Sequence, residues 1–134
     1  MRFEQKARRV YSSLRGRPFP RFGAGGFKYD AALDVPYYPR RAVAIVFRPG
    51  SVFPIVYADG PVESPHRFDD TGSLCMWVSD DPQAHRWDFN DGLLDLLDAI
   101  VAHLFREAWW RETGEWLGDE VRHRARSTPG SEFR

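Results

Sequence analysis

At 134 residues, 43% hydrophobic and 28% charged, the chain is long enough for one compact domain and too short for two. Nineteen basic and nineteen acidic side chains cancel, which removes net charge as a reason for wholesale binding to nucleic acid or to an anionic membrane. No apolar run approaches the roughly 20 residues that span a bilayer. The start MRFEQKARRV lacks the apolar core of a signal peptide, and the expected location is the cytoplasm.

Charge placement carries more than charge total. Residues 1–21 hold seven basic groups against Glu4 alone, whereas residues 59–98 hold ten carboxylates against Arg67 and Arg86. Such a dipolar chain can offer different faces to different partners, although solvated surfaces also segregate by chance.

Phe3, Ala7, Val10 and Leu14 fall on one side of a helix, which predicts a first helix over Arg2 to Leu14. Arg15 to Gly26, with two prolines and four glycines, reads as an irregular connection. Phe27, Tyr29, Ala31, Leu33 and Val35 alternate with Lys28, Asp30, Ala32 and Asp34, a strand with one wet face, closed by Pro36 and Pro39. Ala42 to Phe47 and Val52 to Tyr57 read as two more strands around a Pro49-Gly50 turn, with Pro54 marking an edge or bulge. From Asp59 to about Asn90 no period of either kind is sustained, which predicts a long functional loop. Asn90 or Asp91 then caps a helix, broad in its apolar arc, that Gly114 ends. The expected class is α+β, helices against one antiparallel meander. A single domain is expected over 1–123; the tail 124–134 has no apolar anchor, and its closing Gly-Ser-Glu-Phe-Arg resembles a cloning remnant.

The single cysteine, Cys75, excludes internal disulfides and Cys-rich zinc cages. It sits in Pro65-His66-Arg67-Phe68-Asp69-Asp70-Thr71-Gly72-Ser73-Leu74-Cys75-Met76-Trp77, after the sheet and before the helix, where a scaffolded loop presents reactive groups. A cysteine beside Leu74 and Met76 is more often a small buried hydrophobe than a nucleophile, and it is the surrounding motif that reverses the reading. A zinc site from His66, Cys75 and His85 has no recognised ligand spacing, and a papain-like cysteine would open a helix. His66 reads either as a turn residue or as a hydrogen-bond donor to developing charge, a role that Arg67 or the loop amides could also fill.

Together, the Pro-containing third strand, the His66 turn, Gly72-x-x-Cys75, the following Trp87 and the closing helix resemble the ubiquitin-conjugating enzymes. The likeness runs from Arg2 to Trp116 and is strongest to the bacterial branch found beside ubiquitin-like conjugation and antiphage signalling genes. The ending Gly114-Glu115-Trp116-Leu117-Gly118 is similar to that of the bacterial relatives. The resemblance implies a ubiquitin-conjugating-like fold in which Cys75 takes the C-terminal carboxylate of a ubiquitin-like modifier, or of a target protein, as a thioester and passes it to an amine. The implied partner is an activating enzyme or nucleotidyltransferase of the same operon. No cofactor, metal, nucleic acid or membrane is implied. Cys75 and His66 are the expected catalytic residues, Asp80 and Asp81 candidates to orient the acceptor amine, and Gln5, Arg8 and Arg9 the docking face for the activating enzyme. The sequence departs from the eukaryotic pattern at Pro65-His66-Arg67, which stands where those enzymes carry His-Pro-Asn, and in lacking their extra C-terminal helices. An idle conjugating-fold adaptor is the alternative that these departures leave open.

Overall fold

The computed structural model describes residues 2–22, 24–51, 53–60, 64–68, 71–76 and 87–117, except for the side chains of Arg2 and Phe22. In chain order these form helix α1 (Arg2–Val10), strands β1 (Arg15–Pro18), β2 (Phe27–Val35), β3 (Tyr38–Phe47) and β4 (Ile55–Ala58), and helix α2 (Gly92–Thr113). The sheet is a four-stranded antiparallel meander in the order β1-β2-β3-β4.

β2 follows its alternation: Tyr29, Ala31, Leu33 and Val35 are buried and join Val43, Ile45 and Val56 beneath Leu93, Leu96, Leu97, Ile100 and Leu104 of α2. Helix α1 adds Ala7, and Leu14 follows it into the same cluster. The expected α+β arrangement, with an N-terminal helix and a long C-terminal one, is what forms.

Four boundaries differ from expectation, each for a local reason. Helix α1 stops at Val10 rather than Leu14, because Ser13 turns its hydroxyl to the main chain of β2, donating to the Ala32 carbonyl and accepting the Ala32 N–H; serine competes with helix in this way. The segment read as an irregular connection contains β1, an edge strand paired Arg15↔Asp30 through Pro18↔Phe27. Its backbone passes so close to the aromatic rings of β2 that a Cβ on Gly16 would lie 2.6 Å from Tyr29 Cε1. Strand β3 begins at Tyr38, so Pro39, expected to close β2 from outside, lies inside the next strand. The register slips between Leu33 and Val35 there, the kind of irregularity that tolerates proline. Strand β4 starts only after Pro54.

Ahead of α2, Asp88 caps a short 3-10 turn through a reciprocal capping box with Asp91, and Trp87 Nε1 donates to the Gly92 carbonyl at 2.7 Å. Gly114, left-handed at φ 83, ends α2, as its position predicted. Among the described residues no helix is long and apolar enough to cross a membrane. The tail 124–134 lies outside the described residues.

Candidate functional site

The aperiodic stretch after β4 contains a short hairpin whose order comes from cross-links rather than from a repeating pattern. One arm carries His66 and Arg67, the other Leu74 and Cys75, with Arg67↔Leu74 as an antiparallel bridge. The Cys75 N–H donates to the His66 carbonyl at 2.8 Å, the Phe68 N–H to Ser73 at 2.9 Å, and the Gly72 N–H to Phe68 at 2.8 Å. Gly72 reverses the chain at φ 72, a conformation glycine adopts without the cost of a Cβ. The Leu74 N–H donates to the Val56 carbonyl at 2.8 Å, fastening the second arm to β4.

Arg67 locks this hairpin to the rest of the fold. Its Nε donates to Glu107 Oε2 at 2.7 Å and its Nη2 to Glu107 Oε1 at 2.8 Å. The remaining donors reach the carbonyls of Ala58 at 2.7 Å, Gly72 at 3.0 Å and Asp59 at 2.9 Å. Guanidinium has five N–H groups, and all five are used. Arg67 therefore has no donor left for an oxyanion, which removes it from that role. Burial pushes the Glu107 carboxyl up, but bonding to Arg67 outweighs it and holds the group below the ordinary glutamate value. A second guanidinium, that of Arg41, stands 3.7 Å from Glu107 and pairs with Asp59 at 3.0 Å.

The clamp also fixes Gly60, at φ 144, where an added Cβ would lie 2.5 Å from Arg67 Nη2. A side chain held by five bonds cannot yield, so Gly60→Ala is expected to lower stability by about 1–3 kcal/mol in urea unfolding.

His66 is buried at 2% exposure, its ring 4.0 Å centroid to centroid from Trp116 and edge-on to His103 at 6.3 Å. Trp116 also meets His103, at 5.2 Å. Trp116 lies beyond α2, in a strap with no regular structure, and covers both histidines. His103 lies in the buried stripe of α2. Burial drives its pKa down to about 4 from the ordinary 6.5, against the opposing pull of Glu107 and a hydrogen bond to the His66 main chain, with Arg106 and Arg67 adding to the depression.

A pH dependence follows. As pH falls through 6.5 the unfolded chain takes up a proton on this residue, and the folded chain does not until about 4. Stability present above pH 6.5 is thus lost across that window, by about 3 kcal/mol in all. The lowered carboxyls of Glu4, Asp34 and Glu107 add their losses only below their ordinary values. Chemical denaturation of wild type and His103→Gln from pH 7.5 to 4.5 checks this: the wild-type decline should flatten in the variant.

Cys75 has 0% exposure, contrary to the exposed position that a loop cysteine suggested. Its neighbours Leu74 and Met76 belong to the main hydrophobic cluster and Cys75 does not. Cys75 is buried beside that cluster without being a member of it. The structure thus brings His66 and Cys75 together through the main chain. Asp80 and Asp81 lie outside the described residues. Gln5, Arg8 and Arg9 are exposed on α1, remote in sequence from the hairpin, and Arg8 pairs with Glu4 at 2.6 Å, an exposed i, i+4 contact of small energetic weight. Among the described residues no cluster of three or more His, Cys, Asp or Glu side chains could hold a metal ion.

Glu107 had not been singled out, and Trp116 had been noted only in the chain's ending, not at the site. The signal for Glu107 was present: it continues the spacing Leu93, Leu96, Ile100, His103, and a carboxylate on a buried stripe requires a cation. Comparison with protein-family models, curated proteins and solved structures found no match to this chain.

Proposed function

We propose that the chain is a ubiquitin-conjugating-like acyl carrier with the fold of that family, working in the bacterial cytoplasm, where a lone thiol stays reduced, in antiphage defence. The Cys75 sulfur attacks the activated carboxyl terminus of a ubiquitin-like modifier, or of a target protein, and expels the activating group. An acceptor amine then attacks the thioester and expels the sulfur, which regains a proton. The observation that carries this reading is the placement of Cys75: after a four-stranded meander, on the second arm of a short hairpin, with its N–H bonded to the His66 carbonyl.

The chemistry asks little of the protein beyond position. The acyl group arrives activated, so an ordinary thiol suffices as entering and leaving group. Fixed donors near the tetrahedral intermediate supply the remainder, and the His66 ring is the side chain assigned to that task. Asp80 and Asp81 are assigned to the acceptor amine, and Gln5, Arg8 and Arg9 to the activating enzyme. The nucleotidyltransferase of the same operon is the proposed cargo or acceptor.

The complete burial of Cys75 favours a second reading, an idle conjugating-fold adaptor that binds the same partners. Incubation with the operon's activating enzyme, ATP and the modifier separates the two. The carrier gives an adduct that thiols cleave, converted to a thiol-resistant oxyester in Cys75→Ser and lost in Cys75→Ala. The adaptor gives a complex without any covalent adduct.

A further inference from the structure

We propose that Arg67 is a positioning residue, which through Glu107 of α2 holds the two arms of the hairpin at a fixed spacing and thereby sets where Cys75 lies against His66. What the spacing serves rests on the acyl-carrier reading; the positioning itself does not.

Three features support it. The five guanidinium donors reach three separate stretches of chain: the end of β4 at Ala58 and Asp59, the hairpin turn at Gly72, and both oxygens of Glu107. Only a rigid planar fork satisfies so many fixed acceptors at once, and a lysine ammonium, with three donors at a single point, cannot. Second, Arg67 is placed to transmit any shift. It directly follows His66, whose carbonyl accepts the Cys75 N–H, and it pairs across the hairpin with Leu74, directly before Cys75. Third, the ion pair is fully buried, at 2% and 0% side-chain exposure. Apolar side chains of similar volume often replace such a pair without loss of stability, so holding a defined geometry is the property that a charged fork adds here.

The test uses the full chain, with the melting temperature showing that the variant stays folded and two rates reporting on Cys75. In the double variant Arg67→Met/Glu107→Leu the melting temperature is expected to stay within about 5 °C of wild type. Cys75 alkylation by iodoacetamide is expected to rise at least about tenfold as the hairpin opens locally. Thioester formation with the activating enzyme, ATP and modifier is expected to fall at least about tenfold as the sulfur loses its place. Arg67→Lys, which keeps the charge and loses the fork, should behave in the same way and serves if the double variant does not fold. A folded variant with wild-type alkylation and wild-type thioester formation overturns the proposal. If wild type itself forms no thioester, the acyl-carrier reading falls, and alkylation alone decides the positioning: a rise sustains it and an unchanged rate overturns it.

Discussion

Glu107→Ala is expected to lower the stability of the chain by about 3–5 kcal/mol, because removing one partner of a buried pair leaves the other charge uncompensated in the interior. The stranded group would be Arg67, whose side chain is 2% exposed and has no water to turn to. The nearby Arg41 aggravates the loss, since two guanidiniums that now share one carboxylate would be left to face each other. Glu107→Gln keeps the shape and two hydrogen-bonding atoms but removes the charge, so it should fall between wild type and alanine. Urea unfolding at neutral pH with a common m-value measures all three. An alanine cost below about 1 kcal/mol would mean that the pair is solvated and that its burial is misdescribed.

The second large effect separates core from site. Leu104 lies one helical turn from Ile100, fully buried within the cluster that binds α2 to the sheet. Leu104→Ala removes three carbon atoms and leaves a cavity, for an expected cost of about 2–5 kcal/mol. Cys75 is equally buried but lies off that cluster, and Cys75→Ala removes one sulfur atom, for about 1 kcal/mol. Urea unfolding of the two variants measures both costs, and a Leu104→Ala loss below about 1 kcal/mol would contradict its place in the cluster.

What the sequence revealed follows from where the determining forces act. Strand β2 was legible at both ends because Phe27 to Val35 alternates with one face in the core, and α2 was legible because of its apolar stripe from Leu93 to Leu104 and because Gly114 can take the left-handed cap. Strand β1 was not. Arg15-Gly16-Arg17-Pro18 has no apolar alternation, and it becomes a strand only because β2 offers it backbone partners and Gly16 admits the rings of Tyr29 and Phe27. The hairpin of Cys75 was hidden for the same reason: its order comes from Arg67 reaching Glu107, forty residues away, and from Leu74 bonding to β4. Cys75 and His66 were named from the local run of residues. That both would be buried, His66 beneath Trp116, depended on the strap beyond α2, whose course no local pattern announces.

Intact-mass measurement of the wild-type chain after reaction with the activating enzyme, ATP and modifier, followed by peptide mapping, asks directly whether Cys75 carries an acyl group. The expected result is a mass increase equal to the modifier less one water, located on the peptide containing Cys75 and reversed by a small thiol. An unmodified chain bound tightly to those same partners would contradict it.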